Sequence, residues 1–237
     1  MARTAIWKTI TAALTHDIAT GKYAPGDRLP TEAQLAARFG VNRHTVRRAI
    51  SDMNESGLTY SRRGAGVFVA QRPTDYPIGK RVRFHQNLAA AGRVPAKEVL
   101  TLETRAASAH EAAQLGLEGE AQVHVYEGLS LADEQPIAIF RSIFPAARFP
   151  DLLAALEASR SVTTALAQGG VADYTRASTR LTAKLANATQ ALHLRLSEGA
   201  PILRSAGINV DPEGMPVEYG VTWFAGDRVT LTLNPGD

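Results

Sequence analysis

Four arginines, Arg38, Arg43, Arg47 and Arg48, stand close together, with no acid between Glu32 and Asp52. His44 lies among them. A guanidinium presents its donors as a planar fork, which suits phosphate oxygens and the O6/N7 edge of guanine. A second basic cluster, Arg62-Arg63-Gly64-Ala65-Gly66, sets two arginines beside glycines that let a backbone approach a phosphate or a groove floor closely. These residues suit the binding of a nucleic acid rather than bond-making. The competing reading of such a run is a solvated basic helix face.

The elements that must position them can be read outward from the first cluster. Residues 41–53 form a predicted helix. Asn42 caps it, and Val46, Ala49, Ile50 and Met53 make an apolar stripe at i, i+3, i+4 and i+7. Arg43 and Arg47 flank the stripe, whereas His44, Arg48 and Ser51 point away from it. Upstream, residues 6–19 read as a helix stopped by Gly21, followed by a Pro-Gly connector over 23–30. Thr31 and Gln34 match a capping box at the start of a short helix that Gly40 closes. Two helices around a tight turn predict a helix-turn-helix, whose second helix enters the major groove. Residues 58–70 read as two strands around the basic glycine tip, a β-wing. The candidate DNA-binding set is Arg28, Thr31, Arg38, Asn42, Arg43, His44, Thr45, Arg47, Arg48, Arg62, Arg63, Gly64 and Gly66.

The 237 residues suffice for one large or two medium domains, and 45% hydrophobic content can fill a sizeable core. The absence of cysteine excludes disulfides and thiolate metal sites and fits a reducing cytoplasm. No uncharged apolar run reaches the roughly 18 residues of a membrane span, and no signal peptide is expected. The net charge of +3 is unevenly placed. Residues 1–70 hold 10 basic against 5 acidic side chains, and the remainder hold 16 against 18. Basicity confined to the first third suggests a nucleic-acid module joined to something else. The expected division is a DNA-binding domain over 1–70, a proline-containing linker over 71–80, and a second domain over 81–237.

The second domain contains a repeat. Residues 108–125 and 187–204 align through Ala109/Ala188, Ala112/Ala191, Leu115/Leu194, Leu117/Leu196 and Ala121/Ala200. Each copy opens on a capping box, Ser108 with Glu111 and Asn187 with Gln190, and runs into strand, turn and strand. The turns hold Asp133-Glu134 and Asp211-Pro212, where solvated carboxylates are the default. A unit used twice predicts an α+β domain. It would be one mainly antiparallel sheet with pseudo-twofold symmetry, helices on one face, and a cleft where the halves meet. Residues 149–158 and 161–170 read as further helices.

No phosphate loop, HExxH, GxSxG or GxGxxG occurs, and the six histidines show no metal-ligand spacing. No metal or cofactor is expected. Arg141 falls on the strand face of Ile137, Ile139 and Ile143. A buried arginine needs an anionic partner, so either this face is half-exposed, or Glu218 pairs with Arg141 structurally, or Arg141 holds a bound anion. Ser161 and Thr163 open a helix, where the peptide dipoles favour negative charge.

Residues 6–70 resemble the winged helix-turn-helix of the GntR family of bacterial transcription regulators. The resemblance is carried by Pro25-Gly26, Leu29-Pro30-Thr31-Glu32, Phe39-Gly40-Val41, Thr45-Val46-Arg47, Gly57-Leu58 and the wing Arg63-Gly64-x-Gly66. It implies that Arg43 and Arg47 reach base edges, that Thr45 supports them, and that Gly64 lies at the minor groove. An arginine that some relatives carry is replaced by Ala33. Residues 81–235 resemble the effector-binding (UTRA) domain of the HutC subfamily, whose fold is similar to chorismate lyase. Here the carriers are Leu131-Ala132-Asp133, Gly199-Ala200-Pro201 and Pro216-Val217-Glu218-Tyr219. Residues 41–50, 72–77 and 83–88 resemble phosphonate-metabolism regulators most.

The resemblance implies a homodimeric, ligand-responsive regulator, a repressor on a pseudo-palindromic operator. It also implies an anion site beginning at Arg83 and His85, and Arg141, Ser161, Thr163, Arg176, Glu218 and Trp223 complete the candidate effector-binding set. Gly128 and Ser130 replace an Arg-x-Arg pair of the sugar-phosphate-binding relatives, which favours a smaller or different anion. The alternatives are a lyase-type enzyme with an appended DNA-binding domain and a DNA-binding protein without a ligand.

Overall fold

A computed structural model of the chain describes residues 5–62, 64–70, 73–81 and 84–233, with the backbone alone at Arg62 and His85. Arg63 and Arg83, both expected at a site, lie outside the described residues. The chain divides into two compact units, Met1–Arg72 and Pro73–Asp237.

The first unit follows the predicted pattern: α1 (Ile6–Ala19), α2 (Glu32–Phe39), α3 (Arg43–Glu55), β1 (Thr59–Arg62) and β2 (Gly66–Val69). Both predicted caps form. The Gln34 amide donates to Thr31 Oγ1 and the Thr31 amide to Gln34 Oε1, while Asn42 Oδ1 accepts from the Thr45 amide at 2.9 Å. Gly40, at φ 64°, closes α2 in the left-handed region that a side chain would strain. The α3 stripe packs on Ile10, Leu14 and Leu35, and Val46, Ala49 and Met53 are fully buried. Burying each larger member stabilises the unit by roughly 1.5–3 kcal/mol. β1 and β2 pair antiparallel as the wing, and Arg28 bridges to Phe68 along the free edge of β2.

The second unit comprises β3 (Thr74–Pro77), α4 (Phe84–Ala90), β4 (Pro95–Ala106), α5 (Ala109–Leu115), β5 (Gln122–Ala132), β6 (Gln135–Pro145), α6 (Leu152–Ser159), α7 (Val162–Gln168), β7 (Thr175–Leu185), α8 (Ala188–Leu194), β8 (Pro201–Val210), β9 (Pro216–Ala225) and β10 (Val229–Thr232). Six strands form one antiparallel sheet in the order β4-β5-β6-β9-β8-β7. The order reads as one motif followed by its mirror in sequence. β4-α5-β5-β6 and β7-α8-β8-β9 meet at a seam where Ser142 faces Gly220. Both capping boxes of the repeat form.

Three expectations need correction. Residues 74–77 are not linker: β3 pairs parallel with β10, and Tyr76 buries its ring against Phe224, centroids 5.3 Å apart. The flanking prolines do not prevent a four-residue edge strand.

Helices cover both faces of the sheet, not one. α5 and α8 pack Leu115 and Leu194 on the face of Ile139, Ile143 and Val221. α6 and α7 pack Leu152, Leu156 and Leu166 on the opposite face, against Tyr126, Phe140 and Phe144. Central strands buried on both sides show near-continuous apolar runs, as β6 does.

The hairpin carboxylate Asp133 is not simply solvated. It accepts from the Val94 amide at 2.8 Å and pairs with Arg93. The Val94 amide and then Arg93 hold it below the usual carboxylate range.

Candidate functional site

On the first unit, α3 presents Arg43, His44, Arg47 and Arg48 on its exposed side, opposite the buried stripe. The arginines are compensated more than the sequence suggests. Arg47 donates from Nε and Nη2 to Glu32 at 3.0 and 2.8 Å, and this pairing holds Glu32 below the usual carboxylate range. Arg38 pairs with Asp17 at 2.6 Å and stacks on Phe39, so it ties α2 to α1. That use competes with its expected role at DNA. Arg48 lies over the Trp7 ring at 4.9 Å.

Arg43 has no ion-pair partner among the described residues. It projects beside an N-cap that Thr45 secures twice, through its amide and through Oγ1 at 2.9 Å. Thr31 is committed to its capping box. At the wing, Gly64 and Gly66 adopt φ 75° and 114°. A Cβ on Gly66 would lie 2.7 Å from Arg28 Nε, so the glycine makes room for that side chain beneath the wing. This surface offers a helix dipole, an unpaired guanidinium, a pre-oriented one and a glycine-built tip. It can bind a polyanion and read base edges.

On the second unit, the sheet face under α7 carries a cavity of about 310 Å³. Its walls include Gln86 from α4, Lys97 from β4, Ser130, Phe140 and Ser142 from the central strands, Ser161 and Thr163 at the start of α7, Tyr174, and Glu218 with Thr222 from β9. A smaller cavity of about 60 Å³ shares Tyr76, Ser142, Glu218, Thr222 and Phe224 and adds Arg176, Thr179 and Ser205. Ser161 and Thr163 thus line the larger cavity, Arg176 the smaller one, and Glu218 both.

Arg141 and Trp223 line neither. Strand alternation puts them on the α5/α8 face, where Arg141 pairs with Glu127 across the strands at 2.7 Å and lies over the Trp223 ring at 6.0 Å. Its side chain is 42% exposed, so neither Glu218 nor a ligand is needed to balance it. The His85 side chain lies outside the described residues.

The cation the sequence reading missed is Lys97. β4 pairs with β5 so that Lys97 stands directly opposite Ser130. Its ammonium sits 4.6 Å from the Phe140 centroid, 5.4 Å from Tyr126 and 5.5 Å from Phe84. An ammonium over aromatic faces is attracted by their quadrupoles. Desolvation pulls Lys97 down to about 8, and the Glu218 carboxyl opposes that fall. Cross-strand register could have found it, but the register becomes known only once β4 and β5 are paired.

Glu218 is 7% exposed, and its Oε2 accepts from Asn209 Nδ2 at 2.6 Å. Arg176 has a buried Nε without a hydrogen-bond partner among the described residues. Thr163 Oγ1 meets the Tyr174 hydroxyl at 3.0 Å. Among the described residues no cluster of His, Asp and Glu could hold a metal ion. No described helix is long and apolar enough to cross a membrane.

A basic recognition helix with its wing on one unit, and a ligand-sized cavity of mixed polar and aromatic lining on the other, define a DNA-binding transcription regulator with a small-molecule domain. Residues 7–69 match the family of bacterial regulatory proteins described as gntR, and residues 90–230 match the UTRA domain. The chain belongs to the GntR family, with the HutC-type pairing of these two domains. It is 36% identical over 213 residues to the probable transcriptional regulator PhnF of Escherichia coli, covering 89% of this chain and 88% of that one. It is 28% identical over 231 residues to the probable fructoselysine utilization operon transcriptional repressor of the same organism, covering 97% and 94%. The crystal structure of PhnF from Mycobacterium smegmatis has the same fold, with a TM-score of 0.68 at 23% identity over 95% of this chain and 98% of that one. These curated relatives are named as regulators or repressors, not enzymes.

Proposed function

We propose that the chain is a cytoplasmic, homodimeric repressor that binds a pseudo-palindromic operator and releases it when a small anionic metabolite, phosphonate- or phosphate-related, fills the cavity. The observation that carries the effector reading is Lys97, a cation desolvated among three rings at a cavity wall that also bears the Ser161 and Thr163 hydroxyls. A half-buried cation that rests on aromatic rings, without an ion-pair partner among the described residues, stands ready for an acidic ligand. The printed name of the Escherichia coli relative supports the phosphonate direction. Dimerisation is supported by operator geometry, since two half-sites need two recognition helices. The long, exposed edge strand β7, bearing Leu181 and Leu185, offers a surface for it.

Arg43 and Arg47 read bases in this scheme, Arg47 in the orientation Glu32 gives it, and the wing arginines hold phosphates. The test is fluorescence anisotropy on the chain's own upstream DNA against random DNA, with and without alkylphosphonates. Arg43→Ala should weaken operator binding by roughly 1–3 kcal/mol and leave random DNA nearly untouched. Added phosphonate should release the operator in wild type and not in Lys97→Met. Equal loss on both DNAs would remove the base-reading role, and indifference to every acid would remove the anionic effector.

A further inference from the structure

Glu218 is a demanding residue to place in a ligand cavity whose other charges, among the described residues, are cationic. It is 7% exposed, lines both the larger and the smaller cavity, and among the described residues has Asn209 as its hydrogen-bond partner, on Oε2 alone. A carboxylate presents about four acceptor sites, so Oε1 is left to face the cavity. The β9 backbone leaves that side open, because Gly220 carries no side chain and even an added Cβ would stand 3.5 Å from Oε1. A carboxylate aimed into a cavity repels a purely acidic ligand by the same Coulomb term that attracts a cation. Among the described residues, Lys97 on one side and Arg176 on the other give the three charged groups a net charge of one positive. That is matched by a ligand carrying more acid than amine, not by an acid alone or an amine alone.

We propose that the effector carries a protonated amine as well as an acidic group, the acid set on Lys97 and the amine on Glu218 Oε1. This rests on the anionic-effector reading above and narrows it to amino acids in the broad chemical sense, such as an aminoalkyl phosphonate. The acid occupies the aromatic-rimmed wall with the Thr163 hydroxyl, and the ammonium donates to Glu218 across the cavity. Hydroxylated acids without an amine also fill the volume. They give Glu218 neutral donors in place of a charge-assisted bond, which is roughly half as strong.

The test is titration calorimetry of the full chain with matched pairs that differ only in the amine. These are ethylphosphonate against 2-aminoethylphosphonate and propylphosphonate against 3-aminopropylphosphonate, with the N-acetyl forms as neutral controls. In wild type the amine should tighten binding at least tenfold in one of the two pairs, and N-acetylation should abolish the gain. In Glu218→Gln the ratio within that pair should collapse to within about twofold. The wild-type ratio stands by itself should the variant fold poorly. If both members of each pair bind wild type equally, the amine assignment fails and the anionic-effector reading survives. If no acid binds at all, that underlying reading fails with it. A preference that persists in Glu218→Gln places the amine elsewhere and overturns the assignment.

Discussion

The two halves of the second unit's sheet thin themselves at the same place and fill the gap with different chemistry. Gly128 in β5 and Gly207 in β8 are related by the offset that relates Leu115 to Leu194. A Cβ on Gly128 would stand 2.2 Å from the Glu98 carbonyl oxygen and 2.9 Å from the Phe140 ring. On Gly207 it would stand 2.5 Å from the Ser178 carbonyl oxygen and 2.0 Å from Arg176 Nη1. Beside each glycine the outer strand slips register, between Val99 and Thr101 in β4 and between Arg176 and Ser178 in β7. The frame thus makes a slot twice. The first half gives it to an aromatic ring on which the Lys97 ammonium rests, and the second gives it to a guanidinium. Symmetry fixes where a side chain can be pressed flat on the sheet, and the inserted residue decides what that place binds.

Breaking the slots is the strongest test of this equivalence. Gly128→Ala meets a backbone oxygen and a packed ring, neither of which can move far. It should cost about 2–3 kcal/mol, the upper range for overpacking, and lower Tm by roughly 5–10 °C in a unit of this size. Gly207→Ala meets a backbone oxygen and the end of a flexible side chain, so its cost should be about 1–2 kcal/mol. Adding Arg176→Ala should return part of that loss. Thermal unfolding of the three variants decides it. A neutral Gly128→Ala would mean the close approach is not required and the two glycines share only their position.

A smaller difference lies in the helix starts. The α5 capping box is charged. Glu111 accepts the Ser108 amide at 2.8 Å and receives Arg105 through two bonds of 2.7 and 2.8 Å. Arg105 draws its carboxyl down to about 2. The α8 box uses Gln190 and has no charge to titrate. Glu111→Gln should cost about 1–2 kcal/mol at neutral pH, and Gln190→Ala about 0.5–1 kcal/mol. The signs differ with pH. Glu111 ionises more readily folded than unfolded, so its contribution is full above the unfolded value near 4.5 and fades as pH falls toward 2. Denaturant midpoints at pH 5 and pH 3 should show the Glu111→Gln penalty shrinking and the Gln190→Ala penalty constant. If the Glu111→Gln penalty does not change with pH, the charged pair contributes nothing beyond an ordinary cap.

Local chemistry explains which parts could be read in advance. Thr31, Asn42, Ser108 and Asn187 announce their helices because a cap is written within four residues, and all four accept the predicted amide. The repeat was legible for the same reason. What escaped depends on long-range pairing. Residues 74–77 look like linker until Val229 to Thr232 come alongside. Arg141 looked like a ligand because alternation shows which residues share a face, but not which face holds the cavity. Lys97 carries no local signal at all, and its meaning comes from Ser130 across the ladder and from the rings of three separate elements. Arg47 likewise looked free because Glu32 is distant in sequence and adjacent in space.

The finest test asks which half anchors the acid, and pH answers it because the two cations titrate differently. Lys97 sits at about 8 through desolvation, whereas a guanidinium stays charged throughout the accessible range. Binding of an acid needs the protonated ammonium. Affinity should therefore be level below pH 7 and decline as Lys97 loses its proton. Between pH 7 and pH 8.5 the charged fraction falls from about nine-tenths to about a quarter, so the association constant should drop about fourfold. A sulfonate makes the cleanest probe, since its own charge does not change there. Lys97→Arg keeps its charge and should flatten the profile whatever its absolute affinity. A wild-type profile already flat to pH 8.5 would move the acid to Arg176 in the second half of the sheet. Lys97 would then be left as a packing residue of the aromatic wall.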